Sequence, residues 1–517
     1  PTPKAHLVHS LCDELSRRAV VVLPDEASAR KFASDINELM PTGKKAIFYP
    51  ARDFIFNTSQ GQSREYEQLR IKALCSILNN DYSVIACSVE AAMQFTLPPE
   101  ELKKRTFRID YDTEITTEKL VQLLISAGFK RADSVEGVGQ FAVRGGIADF
   151  FPPDSSQPVR IELWGDNVDT ISLFDISTQR RTDNLDFCEI TPSTEIVFDN
   201  DEALKEKITS YVSTVSGKGS KKAKELLNKD LELLSAGVKL QSVDKYLSLA
   251  YDRLATIFDY CEDDLFFVCE SSSVKEKATA AAKLFNQEIK AQFENGVLFK
   301  GLDSFTISFP QLLTIYEKKK AIYLDNFARG SFDTPVRSLT TFSVQQTPIW
   351  NGSLEVLMDD LRPALSKNET CIVFSGTEKS AKALAEALET EDIRAIYCPI
   401  PPAEFPKNTV TVLSGSLTSG FTYPNEKFTV ISYGKGFKAT SQKRRKTYKA
   451  ADAIQSLEEL SKGDYVVHSV HGIGIFEGIK KLEVSGVTKD FIMIRYAKGD
   501  ALYVPVTQLD LVSKYIG

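Results

Sequence analysis

The residue types that could do chemistry gather in a few short stretches. FAVRGGIADFFPP, residues 141–153, sets an Arg-Gly-Gly turn between two apolar runs. Glycine amides there could cradle a phosphate if a helix opened behind them, because a helix N-terminus presents free N–H groups and a positive dipole end. The residues that follow, IADFF, read as strand, so a hairpin turn carrying Arg144 is the better reading. VRIELWGD offers a second arginine, Arg160, with Trp164 four residues along and on the same face of an alternating strand. Arginine and tryptophan anchor protein interfaces because each buries a large area while keeping a polar handle. The alternative is that Arg144 and Arg160 are solvated strand residues and Trp164 is core. LFFVCES ends an apolar run on Cys269 and Glu270, where a hydrolytic nucleotide site would place Asp-Glu to hold magnesium and orient water. Glu270 therefore marks a degenerate nucleotide site or a plain solvated strand end. His468 and His471 lie three apart on strand or turn residues without a Cys, Asp or Glu cluster, which favours a structural turn over a metal site.

The motifs that would make an enzyme are missing. A phosphate-wrapping loop needs GxxxxGK followed by Ser or Thr, so that glycine amides surround the phosphates and the lysine reaches the β and γ oxygens. No such run occurs; TPKAHLVHSL, ahead of the first strand, lacks both glycines. Neither a GxSxG elbow nor an HExxH helix is present. Eight scattered cysteines with no CxxC pair, and four histidines, supply no zinc framework, so reduced, buried thiols are expected. The net charge of −7 disfavours a general nucleic-acid coat. No apolar run long enough to span a bilayer and no secretory leader appears, so the expected compartment is the cytoplasm, with no membrane partner.

The elements that must position these residues follow from periodicity. Apolar runs VVVLP, KAIFYP and YSVIACS alternate with helical patterns up to about residue 110, implying a parallel sheet covered by helices. Residues 111–195 turn to short strands punctuated by Gly-Gly, Pro-Pro-Asp-Ser-Ser and Gly-Asp-Asn, an inserted antiparallel β-domain. Residues 196–334 return to helices and the runs LFFVCES and AIYLDNF, and 335–435 repeat α/β alternation without an assignable motif. A linker at 436–459 follows; the run Lys435–Lys449 carries seven Lys and Arg and no acid, which could touch DNA but usually marks a solvated stretch. Residues 460–517 are all strand, a small twisted β-module. The fold class is thus multidomain α/β. A chain that opens on Pro1 and stops on Gly517 straight after structured-looking sequence reads as a piece of something longer.

Two stretches resemble a known family. SVEGVGQFAVRGGIADFFPP with VRIELWGDNVDTISLFDISTQR is similar to the UvrB-homology module of the bacterial transcription-repair coupling factor (Mfd) family. The segment from KGDYVVHSVHGIGIFEG to QLDLVSKYIG resembles the same family's RNA-polymerase-interacting, CarD-like domain. The resemblance implies a UvrB-like α/β module whose inserted domain binds UvrA, with Arg144, Arg160 and Trp164 at the contact, and a CarD/Tudor-like barrel that grips the RNA polymerase β subunit. In IKKLEV, the expected polymerase contacts are Lys480, Lys481 and Leu482, the alternative being that Leu482 is core; the glycines of HGIGIFEG are assigned to turns and bulges. ATP and Mg, together with DNA, would belong to a translocase motor outside this chain, so no cofactor and no catalysis are expected here. The family's masking domain is likewise absent, which predicts an open UvrA surface. ARDFIFNTSQGQS, residues 51–63, is too short for the DNA-probing hairpin of UvrB. The competing readings are a UvrB-like, DNA-dependent nucleotide-binding enzyme and a CarD-like transcription regulator only.

Overall fold

The structure is a computed structural model. It describes the chain apart from residues 1, 41–42, 57–63, 217–219, 239, 241–242, 328–330, 348, 403, 434–461, 469–471, 485–486, 497–500, 506–511 and 515–517; at 472, 481–484, 487–490, 505 and 512–514 the backbone alone is described.

The chain begins with helix α1 (Thr2–Glu14), strand β1 (Ala19–Leu23), helix α2 (Glu26–Leu39), β2 (Ile47–Tyr49), helix α3 (Glu65–Leu78) and β3 (Val84–Ser88). Every residue of β1 and β3 is buried, as parallel strands covered on both faces must be. Alternation divides their side chains between two cores. Val20, Val22, Ile85 and Cys87 pack toward α3 and later helices, while Ala19, Val21, Val84 and Ala86 meet α1 and α2. On α2 the spacing Ala29, Phe32, Ala33, Ile36 puts one apolar stripe on the sheet.

The chain then leaves this unit through β4 (Phe107–Asp110) and forms β5 (Lys130–Arg131), β6 (Gln140–Arg144), β7 (Ile147–Phe150), β8 (Val159–Trp164), β9 (Asn167–Phe174) and β10 (Arg181–Asn184). These make a six-stranded sheet in the order β10-β9-β8-β7-β6-β5, antiparallel except for the β5–β6 pair. β11 (Phe187–Ile190) returns antiparallel to β4 as a two-stranded ribbon. Only then do β12 (Leu265–Cys269) and β13 (Ile322–Leu324) complete the first sheet, parallel throughout, in the order β13-β12-β1-β3-β2.

Where the inserted sheet rejoins the α/β unit, a buried ionic cluster fastens the stem. Arg52 reaches Glu195 at 3.0 Å, Asp244 at 3.2 Å and Glu67 at 3.4 Å, and Arg70 Nε donates to Glu195 at 2.5 Å. All five side chains are almost wholly out of water. Burial pushes the Glu195 and Asp244 carboxyls up against the pull of Arg70 and Arg52, whereas Arg52 and Arg64 hold Glu67 down despite its burial.

A third sheet is built from β14 (Gln345–Thr347), β15 (Thr370–Phe374), β16 (Ala395–Cys398), β17 (Val410–Leu413), β18 (Gly420–Tyr423) and β19 (Phe428–Ser432), in the order β14-β18-β19-β15-β17-β16. β15, β16, β17 and β19 run parallel, and β18 and β14 add an antiparallel edge. This edge docks on the first unit. Asp35 accepts from Thr418 N at 2.7 Å and Oγ1 at 2.8 Å and from Thr2 Oγ1 at 2.8 Å, while His6 lies against Phe421, Tyr423 and Phe428.

β20 (Tyr465–His468), β21 (Gly472–Val484), β22 (Val487–Arg495), β23 (Ala501–Pro505) and β24 (Val512–Lys514) close the chain as a curled antiparallel sheet, β23-β22-β21-β20-β24. Val466, Phe476, Ile492, Ile494, Leu502 and Val504 form its core. The architecture is multidomain α/β with both parallel and antiparallel sheets. Among the described residues no helix is long and apolar enough to cross a membrane.

Candidate protein-interaction surfaces

The Arg-Gly-Gly stretch is a hairpin. β6 and β7 pair antiparallel with Arg144 opposite Ile147, and Gly145 sits at φ +59°, where a side chain would be strained. A Cβ on Gly146 would lie 2.7 Å from the Leu163 carbonyl oxygen, so the close approach of the turn to β8 requires glycine at 146. Phe141, Phe150, Val159, Ile161 and Ile171 fill the inner face of the sheet against helix Thr117–Ser126.

The outer face carries all three residues expected from sequence, in different states. Trp164, at the end of β8 beside the turn at Gly165 (φ +65°), is 82% exposed and is not core. Arg144 is exposed as well, with Nη2 3.5 Å from the Asp133 carbonyl oxygen. Arg160 is not a solvated strand residue. Its Nε and Nη2 donate to the two Asp149 carboxylate oxygens at 2.6 and 2.9 Å, Nη1 donates to Gln179 O at 3.2 Å, and the guanidinium lies 4.7 Å from the Phe174 ring centre. Sequence reasoning missed two neighbours. Ile147, 37% exposed, stands between Arg144 and Glu162 across the strands, and Glu162 is ion-paired with Arg181. The signal for Ile147 was present, since it begins the strand after the turn and faces the same way as Asp149 and Arg144's row.

At the carboxyl ends of β1 and β12, positions where doubly wound folds hold phosphates, carboxylates accept from the first amides of the following helices, while after β3 the cap is the Ser88 hydroxyl. The turn after β1 leads to Asp25, which accepts from Ser28 N at 2.8 Å. After β12, Glu270 takes a left-handed conformation at φ +57° and ion-pairs with Lys4, and Asp325 accepts from Ser271 N at 2.7 Å and Oγ at 2.6 Å. Negative side chains thus stand where an anionic ligand would need donors.

His468 is buried on β20, and His471 lies outside the described residues, among which no group of three or more His, Cys, Asp or Glu could hold a metal. All eight cysteines are free and Cys398 alone is more than marginally exposed; burial pushes the Cys87 and Cys188 thiols up to about 12, so neither is a reactive thiolate at neutral pH.

In the C-terminal sheet, β21 pairs with β20 only over Gly472–Ile475 but with β22 as far as Val484. Beyond Phe476, one edge of β21 has no strand beside it among the described residues. A Cβ on Gly474 would collide with Ile494 and approach Arg495 O to 3.0 Å, and Gly478, φ +115°, lies at the bulge in the β21–β22 register. Along the open edge Lys480 is exposed and Ile479 is 48% exposed. Lys481 and Leu482 lie on β21 opposite Asp490 and Lys489, and their side chains, like the basic run 435–449, lie outside what is described.

Comparison with known proteins matches both surfaces to family models. Residues 107–196 match the UvrB interaction domain, and 460–516 match the CarD-like/TRCF RID domain. The transcription-repair-coupling factor of Bacillus subtilis (strain 168) is 31% identical over 522 residues, covering 98% of this chain and 44% of that protein. The transcription-repair-coupling factor of Staphylococcus aureus (strain MRSA252) is 25% identical over 526 residues, covering 100% of this chain and again 44% of the relative. The chain therefore spans less than half the length of these relatives.

Proposed function

From the premise that the chain belongs with the transcription-repair-coupling factors, we propose that it is their adaptor portion, with one surface for UvrA and another for RNA polymerase. The observation that carries the UvrA surface is Trp164, 82% exposed on the same sheet face as exposed Arg144, within the segment that matches the UvrB interaction domain. A large aromatic held in water on a rigid strand is an anchor waiting for a pocket. Arg144, and the N–H groups of Arg160 that Asp149 and Gln179 leave over, suit carboxylates on the partner, where a planar guanidinium outperforms an ammonium.

The second surface is the open edge of β21, in a module we read as a CarD/Tudor-like barrel. An exposed edge can accept a strand of the polymerase β subunit, with backbone hydrogen bonds giving affinity and Lys480, Lys481 and Leu482 giving choice. Holding both partners would bring nucleotide excision repair to a stalled polymerase. ATP hydrolysis with Mg and movement on DNA belong, on this reading, to the part of the relatives that this chain does not span. The carboxylate caps of Asp25 and Asp325 support a chain without its own nucleotide chemistry. We assign the units as 1–110 with 196–334, the insertion 111–195, 335–435, the linker 436–459 and the module 460–517, in a cytoplasmic protein.

Calorimetric titration of the chain with UvrA, and separately with the polymerase β subunit, tests this. Binding to each, with no ATP turnover, is expected. A folded chain that ignores UvrA would sink the first surface, and saturable, DNA-stimulated ATP hydrolysis would sink the non-catalytic reading.

A further inference from the structure

The Asp149–Arg160 pair is a poor device for stability and a good one for orientation. Asp149 is 3% exposed, in the middle of β7, directly opposite Arg160 on β8. Taking a carboxylate and a guanidinium out of water costs several kcal/mol for each ion, and apolar residues of similar volume usually serve a core as well or better. What such a pair does supply is geometry. Two parallel hydrogen bonds at 2.6 and 2.9 Å fix the guanidinium plane, Gln179 O fixes its far corner at 3.2 Å, and Phe174 closes one side with its ring centre 4.7 Å away. These contacts use three of the five N–H groups and leave two for another acceptor.

The pinned group is also placed among the exposed ones. Arg160, Glu162 and Trp164 alternate on one face of β8, and the neighbouring row is Arg144, Ile147 and Glu162. Side chains in successive rows on one face stand roughly 7 Å apart, so the two remaining Arg160 donors lie within one partner footprint with Trp164 and Arg144. A free arginine in that position would lose side-chain entropy on binding, and Asp149 removes that cost in advance.

We propose that Asp149 is a positioning residue of this face: it touches no partner, and it holds Arg160 so that its two spare N–H groups meet a carboxylate on the docking protein. This rests on the UvrA reading above. The same residue places the loop at Gln179 through Arg160, so its loss would loosen both.

The test is a titration of the whole chain with UvrA, comparing wild type, Asp149→Asn, Arg160→Ala and the double variant. Asp149→Asn keeps shape and removes the charge that clamps the fork. The expected result is a roughly tenfold rise in Kd for Asp149→Asn and no further rise when it is added to Arg160→Ala, because Asp149 acts only through that arginine. Wild-type affinity in a folded Asp149→Asn chain, or an equal loss in the Arg160→Ala background, overturns the proposal while leaving the UvrA reading intact. Absence of binding by wild type overturns the UvrA reading, and the proposal with it. Should Asp149→Asn fold poorly, the apolar pair Asp149→Leu with Arg160→Met keeps the volume and removes both charges. That variant is expected to fold and to bind as weakly as Arg160→Ala, and wild-type binding by it overturns the proposal. An independent readout is the Arg160 Nε–H resonance in arginine-labelled protein: slow exchange with water in wild type and fast exchange in Asp149→Asn is expected, and slow exchange in both shows that Asp149 does not hold the group.

Discussion

Side chains of one type have different fates here, and burial decides which. Arg144 stands in water, Arg160 is clamped by one carboxylate, and Arg52 is buried among three. Removing Arg52 takes one cation from Asp244 and leaves Glu195 with Arg70 alone, and losing one partner of a buried pair costs about 3–5 kcal/mol. Arg52→Met is therefore expected to lower the unfolding free energy by that amount, measured by denaturant titration; a loss under about 1 kcal/mol would show that the cluster is not a fastener. Trp164 has the opposite profile. At 82% exposure it contributes little to folding, so Trp164→Ala should leave stability within about 0.5 kcal/mol of wild type. UvrA affinity should fall by roughly 2 kcal/mol, about thirtyfold, in the same preparation. Equal binding by the variant would remove the tryptophan from the contact.

Among the elements, the contact between α1 and β18 responds to pH. Burial, reinforced by His9, pulls the His6 imidazole down from 6.5 to about 4, and Nδ1 lies 3.1 Å from the Tyr423 hydroxyl. The folded pKa is depressed, so the folded state prefers the neutral ring. That preference is fully present above pH 6.5 and is lost as pH falls toward 4, an effect on the order of 3 kcal/mol. Asp35, in the same contact, runs the other way: burial raises its carboxyl, so its contribution is fully present below 3.8 and is lost as pH rises through the raised value. Replacing His6 by Phe isolates the first effect. Unfolding of the wild type should weaken between pH 7 and 4.5 more steeply than that of His6→Phe, and parallel pH profiles would refute the assignment.

Across the whole molecule the two candidate surfaces lie on different sheets, β5–β10 and β20–β24, which share no strand. One partner should therefore not displace the other. Adding saturating polymerase β subunit is expected to change the UvrA dissociation constant by less than about threefold, and sedimentation of the mixture should show a ternary complex. Mutual exclusion would mean that the surfaces overlap or communicate, contrary to the adaptor reading.

Much was legible in the sequence because it depends on neighbours along the chain. Apolar runs of five residues between helical patterns identified β1, β3 and β12, and Gly145-Gly146 between alternating segments identified a hairpin and not a phosphate loop. The match of residue type to interface chemistry singled out Arg144, Arg160 and Trp164, and their alternation put Arg160 and Trp164 on one face. Tertiary structure alone decided what each does there. Asp149 is eleven residues from Arg160, Glu195 is 125 from Arg70, and Asp35 is 383 from Thr418. Periodicity reports which face a side chain occupies, but a hydrogen bond needs a partner at about 3 Å, and that partner is supplied by whichever strand or helix packing brings alongside. The short strands β14 and β18 escaped for the same reason: three or four residues carry too little pattern, and pairing with a neighbour is what makes them strands.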